Sequence, residues 1–255
     1  MLPGLEALGH DVAALPSVVL SSHAGQNRLA RLPVATSELT AMVDALAATG
    51  WLRSASMLVS GYLPTQAHVA FAADLAVRMK KLNPGLRYVC DPVLGDWPKG
   101  LYLPPETAVS IKERLIPLAD LLTPNAFELS YLTGVTVDTP SAAAAAARRL
   151  ERPAVVTSSV PAPDNRLATV LVTGETAAAT SVPALASVPH GTGDLLTGLL
   201  AGFIASDAPM PVALAEAGAL LASCIRRSSG GDDLAMAGLL GRGAGPEPLS
   251  IETIP

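Results

Sequence analysis

Short β-branched runs alternate with longer Ala- and Leu-rich segments along nearly all of the 255 residues. No other feature limits the fold as much. An apolar run of four to six residues makes a buried strand, the Ala/Leu segment after it makes a helix that covers the strand, and repetition of the pair builds a parallel sheet. On this reading strands fall at 12–20, 57–60, 86–90, 120–123, 154–157, 168–172 and 178–182, the last able to pair antiparallel with its predecessor. Helices fall at 37–49, opened by Thr36 or Ser37, and at 65–82, 106–116, 125–133, 141–150, 194–205 and 212–228. The expectation is an α/β protein with a mainly parallel central sheet and helices on both faces, in a single domain spanning 1–255. Residues 2–9 read as the end of a helix with no strand ahead of them, so the first strand of the series is expected to be missing. The Gly- and Pro-rich tail from Gly238 is expected to be loop.

Half of the residues are apolar and 15% are charged, as a sheet covered on both faces requires. Aromatic residues make up only 4%, so Ala, Leu and Val must build the core. The net charge is −5 and no basic run exceeds two residues, which argues against nucleic acid as a partner. No window of 18 uninterrupted apolar residues suggests a membrane span. Cys90 and Cys224 lie in apolar surroundings, and Met1-Leu2-Pro3-Gly4 lacks the features of a secretory leader. These read as free thiols in a cytoplasmic protein.

The richest segment is Pro189 to Gly202, PHGTGDLLTGLLAG. Two glycines flank Thr192 just before an amphipathic helix, so the N–H groups of Gly191 to Asp194 can converge on an anion at the positive end of the helix dipole. A carboxylate at that turn, Asp194, is placed to accept a proton from an attacking hydroxyl. The same four residues also read as an ordinary loop with an aspartate cap.

Three further constellations sit at strand ends, where open parallel sheets bind ligands. Asp91 and Asp96 in CDPVLGD suit Mg²⁺, or are solvated turn residues. Asn125 and Glu128 in LTPNAFE are spaced as a capping box, and could also orient phosphate or metal-bound water. Thr157 and Ser158 in VVTSS offer hydroxyls to phosphate oxygens, or simply favour a turn. The lone His23 in a Ser-Ser-His-Ala-Gly loop reads as a surface residue, and His10, His68 and His190 have no metal-ligand spacing.

Taken together, SGYLP (60–64), CDPVLGD (90–96), LTPNAFE (122–128), VVTSS (155–159) and GTGD (191–194) resemble the pyridoxal kinases of the ribokinase-like superfamily. The resemblance covers nearly the whole chain, and GYLP with CDPVLGD is its narrowest part. It implies a ribokinase-like fold and ATP-dependent phosphorylation of the 5′-hydroxymethyl group of pyridoxal. Asp194 would be the base, with Gly191, Thr192 and Gly193 holding the transferring phosphoryl group. It further implies Asn125, Thr157, Ser158, Thr192 and Gly193 near the ATP phosphates, Asp91, Asp96 and Glu128 around Mg²⁺, and His23 and Tyr62 against the vitamer ring. K⁺ as an optional cofactor, a homodimer and a lid over 24–33 carrying Gln26, Asn27, Arg28 and Arg31 come with it. The family's opening strand and glycine-rich turn are not found ahead of Met1, so the pyridoxal side of the site is expected to lack one wall. Hydroxymethylpyrimidine kinases usually carry Cys where this chain has Asp194. A kinase of this fold with another small substrate, or a non-catalytic nucleotide-binding protein, are the alternatives.

Overall fold

The computed structural model describes residues 1–21, 29–228, 234–236, 239 and 246–254. In chain order the elements are α1 (Leu2–Ala7), β1 (Val18–Leu20), β2 (Arg31–Pro33), α2 (Thr36–Ala48), α3 (Trp51–Ser54), β3 (Met57–Ser60), α4 (Gln66–Leu82), β4 (Arg87–Cys90), β5 (Gly95–Asp96), β6 (Gly100–Leu101) and α5 (Pro105–Arg114). They continue with β7 (Leu121–Leu122), α6 (Ala126–Thr133), α7 (Pro140–Arg148), β8 (Ala154–Ala162), β9 (Arg166–Thr173), β10 (Thr176–Pro183), α8 (Thr192–Ala205), α9 (Met210–Arg227) and β11 (Glu252–Ile254). The chain divides into two compact units, one of residues 13–120 and one joining 1–12 to 121–255.

In the 13–120 unit, β3 and β4 pair in parallel, with Ser60 opposite Cys90, and α4 makes the crossover between them. Thr65 caps α4 by accepting the His68 N–H, and the helix stops at Asn83, ahead of Pro84. Val43, Leu52, Leu75, Met79 and Leu86 form a buried cluster that Leu58 and Phe71 extend. The carboxylate of Asp120 accepts the Tyr88 N–H at 2.7 Å and pairs with Lys80 at 2.8 Å, so the chain leaves this unit on a fixed path.

Two expectations change here. The strand read over 12–20 shrinks to Val18–Leu20, because Pro16 has no N–H to donate and the partner β2 is itself three residues long. β1 and β2 form a separate antiparallel ribbon with Val19 opposite Leu32. Neither Thr36 nor Ser37 caps α2; the cap position is Ala35, and no side chain bonds there.

In the other unit the strand order is β11-β10-β9-β8-β7. Among the described residues of this unit β7 and β8 pair in parallel, and β8 through β11 are antiparallel. The sheet is therefore mixed, and the connections explain it. β8 reaches β9 through Pro163, Asp164 and Asn165, with φ of +57° and +53° at the last two, and β9 reaches β10 through Gly174 and Glu175. Links of two or three residues can join antiparallel neighbours only. β11, in the tail expected to be loop, adds an edge strand against β10.

The run of alanines does form a helix, α7, which starts at the Thr139 cap with Pro140 in its first turn. Ala143, Ala144, Ala146 and Ala147 are buried, and α7 lies against β8 and β9. On another side α8 packs against α9 and is crossed by α1. Small residues make that crossing possible. A Cβ at Gly4 would lie 3.1 Å from the Leu199 nitrogen, and one at Gly198 would overlap the Met1 backbone.

Candidate functional site

The C-terminal ends of β7 and β8 and the N-terminus of α8 meet around a small set of hydroxyls and amides. Asn125 begins α6 as a full capping box: its Oδ1 accepts the Glu128 N–H at 2.9 Å, and Glu128 Oε2 accepts the Asn125 N–H at 2.8 Å. The structure thus gives Glu128, which is buried, a capping task, as its spacing implied. The Ser158 N–H donates to the Pro124 carbonyl at 3.0 Å, and Asn125 and Ser158 form a parallel bridge. Two of the expected phosphate contacts are therefore neighbours across adjacent strand ends.

Thr157 is fully buried, and its Oγ1 has no hydrogen-bond partner among the described residues, whereas Ser158 is half-buried and Ser159 is exposed at φ +57°. The ladder between β8 and β9 slips between Thr157 and Val160, which turns this short segment away from regular pairing.

Gly191 caps α8 at φ +88°, a conformation that a side chain would strain. The helical ladder begins with Leu195 N–H donating to Gly191 O at 3.0 Å, so the N–H groups of Thr192, Gly193 and Asp194 stand ahead of it at the helix end. A Cβ at Gly193 would meet nothing within 4 Å. Asp194 is exposed at the same turn. One turn further on, the buried Thr197 hydroxyl lies 2.8 Å from that of Thr123, at the end of β7. This pair, which the sequence reading missed, ties the Asn125 turn to the helix carrying Asp194.

In the 13–120 unit, Asp91 follows β4 and is buried, with its Oδ1 accepting the Val93 N–H at 3.4 Å. Val93 adopts φ +42° to make that turn. Asp96 Oδ1 is buried with no hydrogen-bond partner among the described residues. Two carboxylates on one short turn, one with an unmatched oxygen, fit a hard cation that keeps waters and substrate oxygens as its other ligands. Among the described residues no three His, Cys, Asp or Glu side chains form a ready metal cluster.

Tyr62 is half-buried in the loop after β3, and its carbonyl accepts the Ser17 hydroxyl at 2.7 Å. His23, Gln26, Asn27 and Arg28 lie outside the described residues; Arg31 is exposed at the start of β2. His10 bonds the Gly202 carbonyl at 2.8 Å, a structural role. Burial pushes the Tyr88 phenol well above its ordinary pKa; the nearby Cys90 thiol adds to the shift, and the hydrogen bond with Ser60 at 2.7 Å opposes it.

The geometry describes a helix N-terminus with N–H groups ahead of its hydrogen-bond ladder and a carboxylate on the same turn. Comparison with known proteins makes this specific. The sequence model of a family described as phosphomethylpyrimidine kinase matches residues 54–236. The pyridoxal kinase of Deinococcus radiodurans is 33% identical over 210 residues, which cover 78% of this chain and 70% of that one. A pyridoxine/pyridoxal/pyridoxamine kinase of Bordetella bronchiseptica is 31% identical over 247 residues, covering 94% and 87%. The solved pyridoxal kinase of Leishmania donovani, in complex with ADP and pyridoxine, superposes with a TM-score of 0.90 at 25% identity, covering 100% of this chain and 92% of that one. The chain belongs to the pyridoxal kinase family of the ribokinase-like superfamily. No helix among the described residues is long and apolar enough to cross a membrane.

Proposed function

We propose that this chain transfers the γ-phosphoryl group of ATP to the 5′-hydroxymethyl group of pyridoxal, and of related vitamers, to give pyridoxal 5′-phosphate. One observation carries the reading: the Asp194 carboxylate shares a helix turn with the N–H groups of Thr192 and Gly193. Those amides and the helix dipole favour the charge that builds on the phosphoryl oxygens in flight. Asp194, beside them, takes the proton from the attacking hydroxyl. Asn125, Thr157 and Ser158 are assigned to the ATP phosphates, with the unmatched Thr157 hydroxyl available as a donor. Bound Mg²⁺ would neutralise phosphate charge, and Asp91, Asp96 and Glu128 are the residues assigned to it. Glu128 contributes by fixing the Asn125 turn. His23 and Tyr62 are assigned to the vitamer ring, and K⁺ to an accessory role. A single kinase domain of residues 1–255, a homodimer and a cytoplasmic location belong to the same proposal.

The family description matched by residues 54–236 favours a second reading, phosphorylation of a hydroxymethylpyrimidine. Incubation with ATP, Mg²⁺ and a panel of B6 vitamers and hydroxymethylpyrimidine separates the two. Pyridoxal 5′-phosphate should form, and Asp194→Asn should lower kcat by about 10² to 10⁴ while ATP still binds. Undiminished turnover in that variant, or no vitamer phosphorylated by the native chain, overturns the reading.

A further inference from the structure

We propose that His68 is a positioning residue for acceptor binding, pinning the base of the β1–β2 ribbon to the loop that carries Tyr62; this rests on the kinase reading above. His68 lies in the first turn of α4 and is 6% exposed. Its Nε2 is 2.9 Å from the Val34 carbonyl, just past β2. A carbonyl can only accept, so Nε2 carries the hydrogen. Nδ1 lies 2.8 Å from the Thr65 hydroxyl, which also accepts the His68 N–H at 3.4 Å.

The pin continues on the other side. The Val34 N–H donates to the Ser17 carbonyl at 3.1 Å, and the Ser17 hydroxyl donates to the Tyr62 carbonyl at 2.7 Å. Ser17, Val34 and His68 thus link three separate stretches of chain, and the loop of Gly61 to Thr65 is held at both ends. Tyr62 is held from behind by Ser17, and Thr65 from ahead by the imidazole. Both ring nitrogens are used inside the protein, so the ring has no capacity left for a metal or for proton transfer to substrate. What it controls is where the loop sits. Burial strengthens these bonds, and loss of the ring leaves a buried carbonyl without its donor.

Two variants and two readouts test this. His68→Leu removes both bonds, whereas the amide nitrogen of His68→Gln reaches the Nε2 position and can still donate to Val34. KM for pyridoxal should rise about tenfold in His68→Leu, with kcat and KM for ATP within about twofold of native, and His68→Gln should restore most of it. Hydrogen exchange at the Val34 amide should speed up in His68→Leu and not in His68→Gln. Unchanged KM for pyridoxal, an equal loss of kcat in both variants, or unchanged Val34 exchange in His68→Leu overturns the proposal. If the native chain phosphorylates no vitamer, the kinase reading fails, while the exchange difference still decides whether the pin exists.

Discussion

The hydroxyls of Thr123 and Thr197 lie 2.8 Å apart in the interior, so the strand end that leads to Asn125 and the helix turn after Asp194 are joined by a bond that no water competes for. Replacing Thr197 by Val keeps the shape and leaves the Thr123 hydroxyl without this partner. A loss of about 1–3 kcal/mol is expected in urea unfolding. Thr197→Ser should retain most of the stability.

The two glycines of the anion loop should respond differently. Gly193 has open space where a Cβ would stand and ordinary helical geometry, so Gly193→Ala should leave the melting temperature nearly unchanged. Its methyl would project where phosphoryl oxygens are proposed to bind, so kcat should drop by at least tenfold, as read in the pyridoxal assay. Gly191 sits at φ +88°, and Gly191→Ala should cost about 1–2 kcal/mol of stability as well.

Where α1 crosses α8, Gly198→Ala sets a methyl against the Met1 backbone, whereas Gly202→Ala meets the Leu8 Cδ1 at 2.6 Å. A side-chain tip can rotate away and a backbone cannot. Gly198→Ala should therefore lose about 3 kcal/mol and Gly202→Ala about 1 kcal/mol, measured side by side by denaturant titration.

Tyr88 predicts the alkaline limit. Its phenol is held above the ordinary value of about 10, so the folded state keeps its proton when the unfolded chain has given it up. The stabilisation is complete below about pH 10 and is lost as pH climbs from there toward the raised folded value. Tyr88→Phe should flatten the fall in stability over that interval, as followed by unfolding midpoints between pH 8 and 11.

Local signals were legible in the sequence. The three-residue spacing of Asn125 and Glu128 announced a capping box, and the glycines before Asp194 announced a helix start; both depend on neighbours in the chain alone. What could not be read depends on distant partners. β11 is three residues of a Gly- and Pro-rich tail, and becomes a strand because β10 offers an edge. Thr197 sits in an apolar helix where nothing local marks it as the partner of Thr123. His68 looked like one isolated histidine, because Val34 is 34 residues away. The parallel expectation failed between β8 and β9, where Asp164 and Asn165 take left-handed backbone in a tight link that no β-propensity reveals, whereas the antiparallel pairing of β10 with β9 was open on the sequence alone.

The alanine run of α7 has a consequence for how the gene can drift. Ala143, Ala144 and Ala146 have no exposed surface, and their helix rests on β8 and β9 with one methyl group as the spacer. A change to valine or leucine thickens that spacer and lifts the helix, and a change to glycine thins it and loosens the turn. A saturation scan would therefore score this repetitive stretch as intolerant, alongside the residues assigned to phosphate. A tract that looks like low complexity is constrained from both sides, by thickness rather than by chemistry.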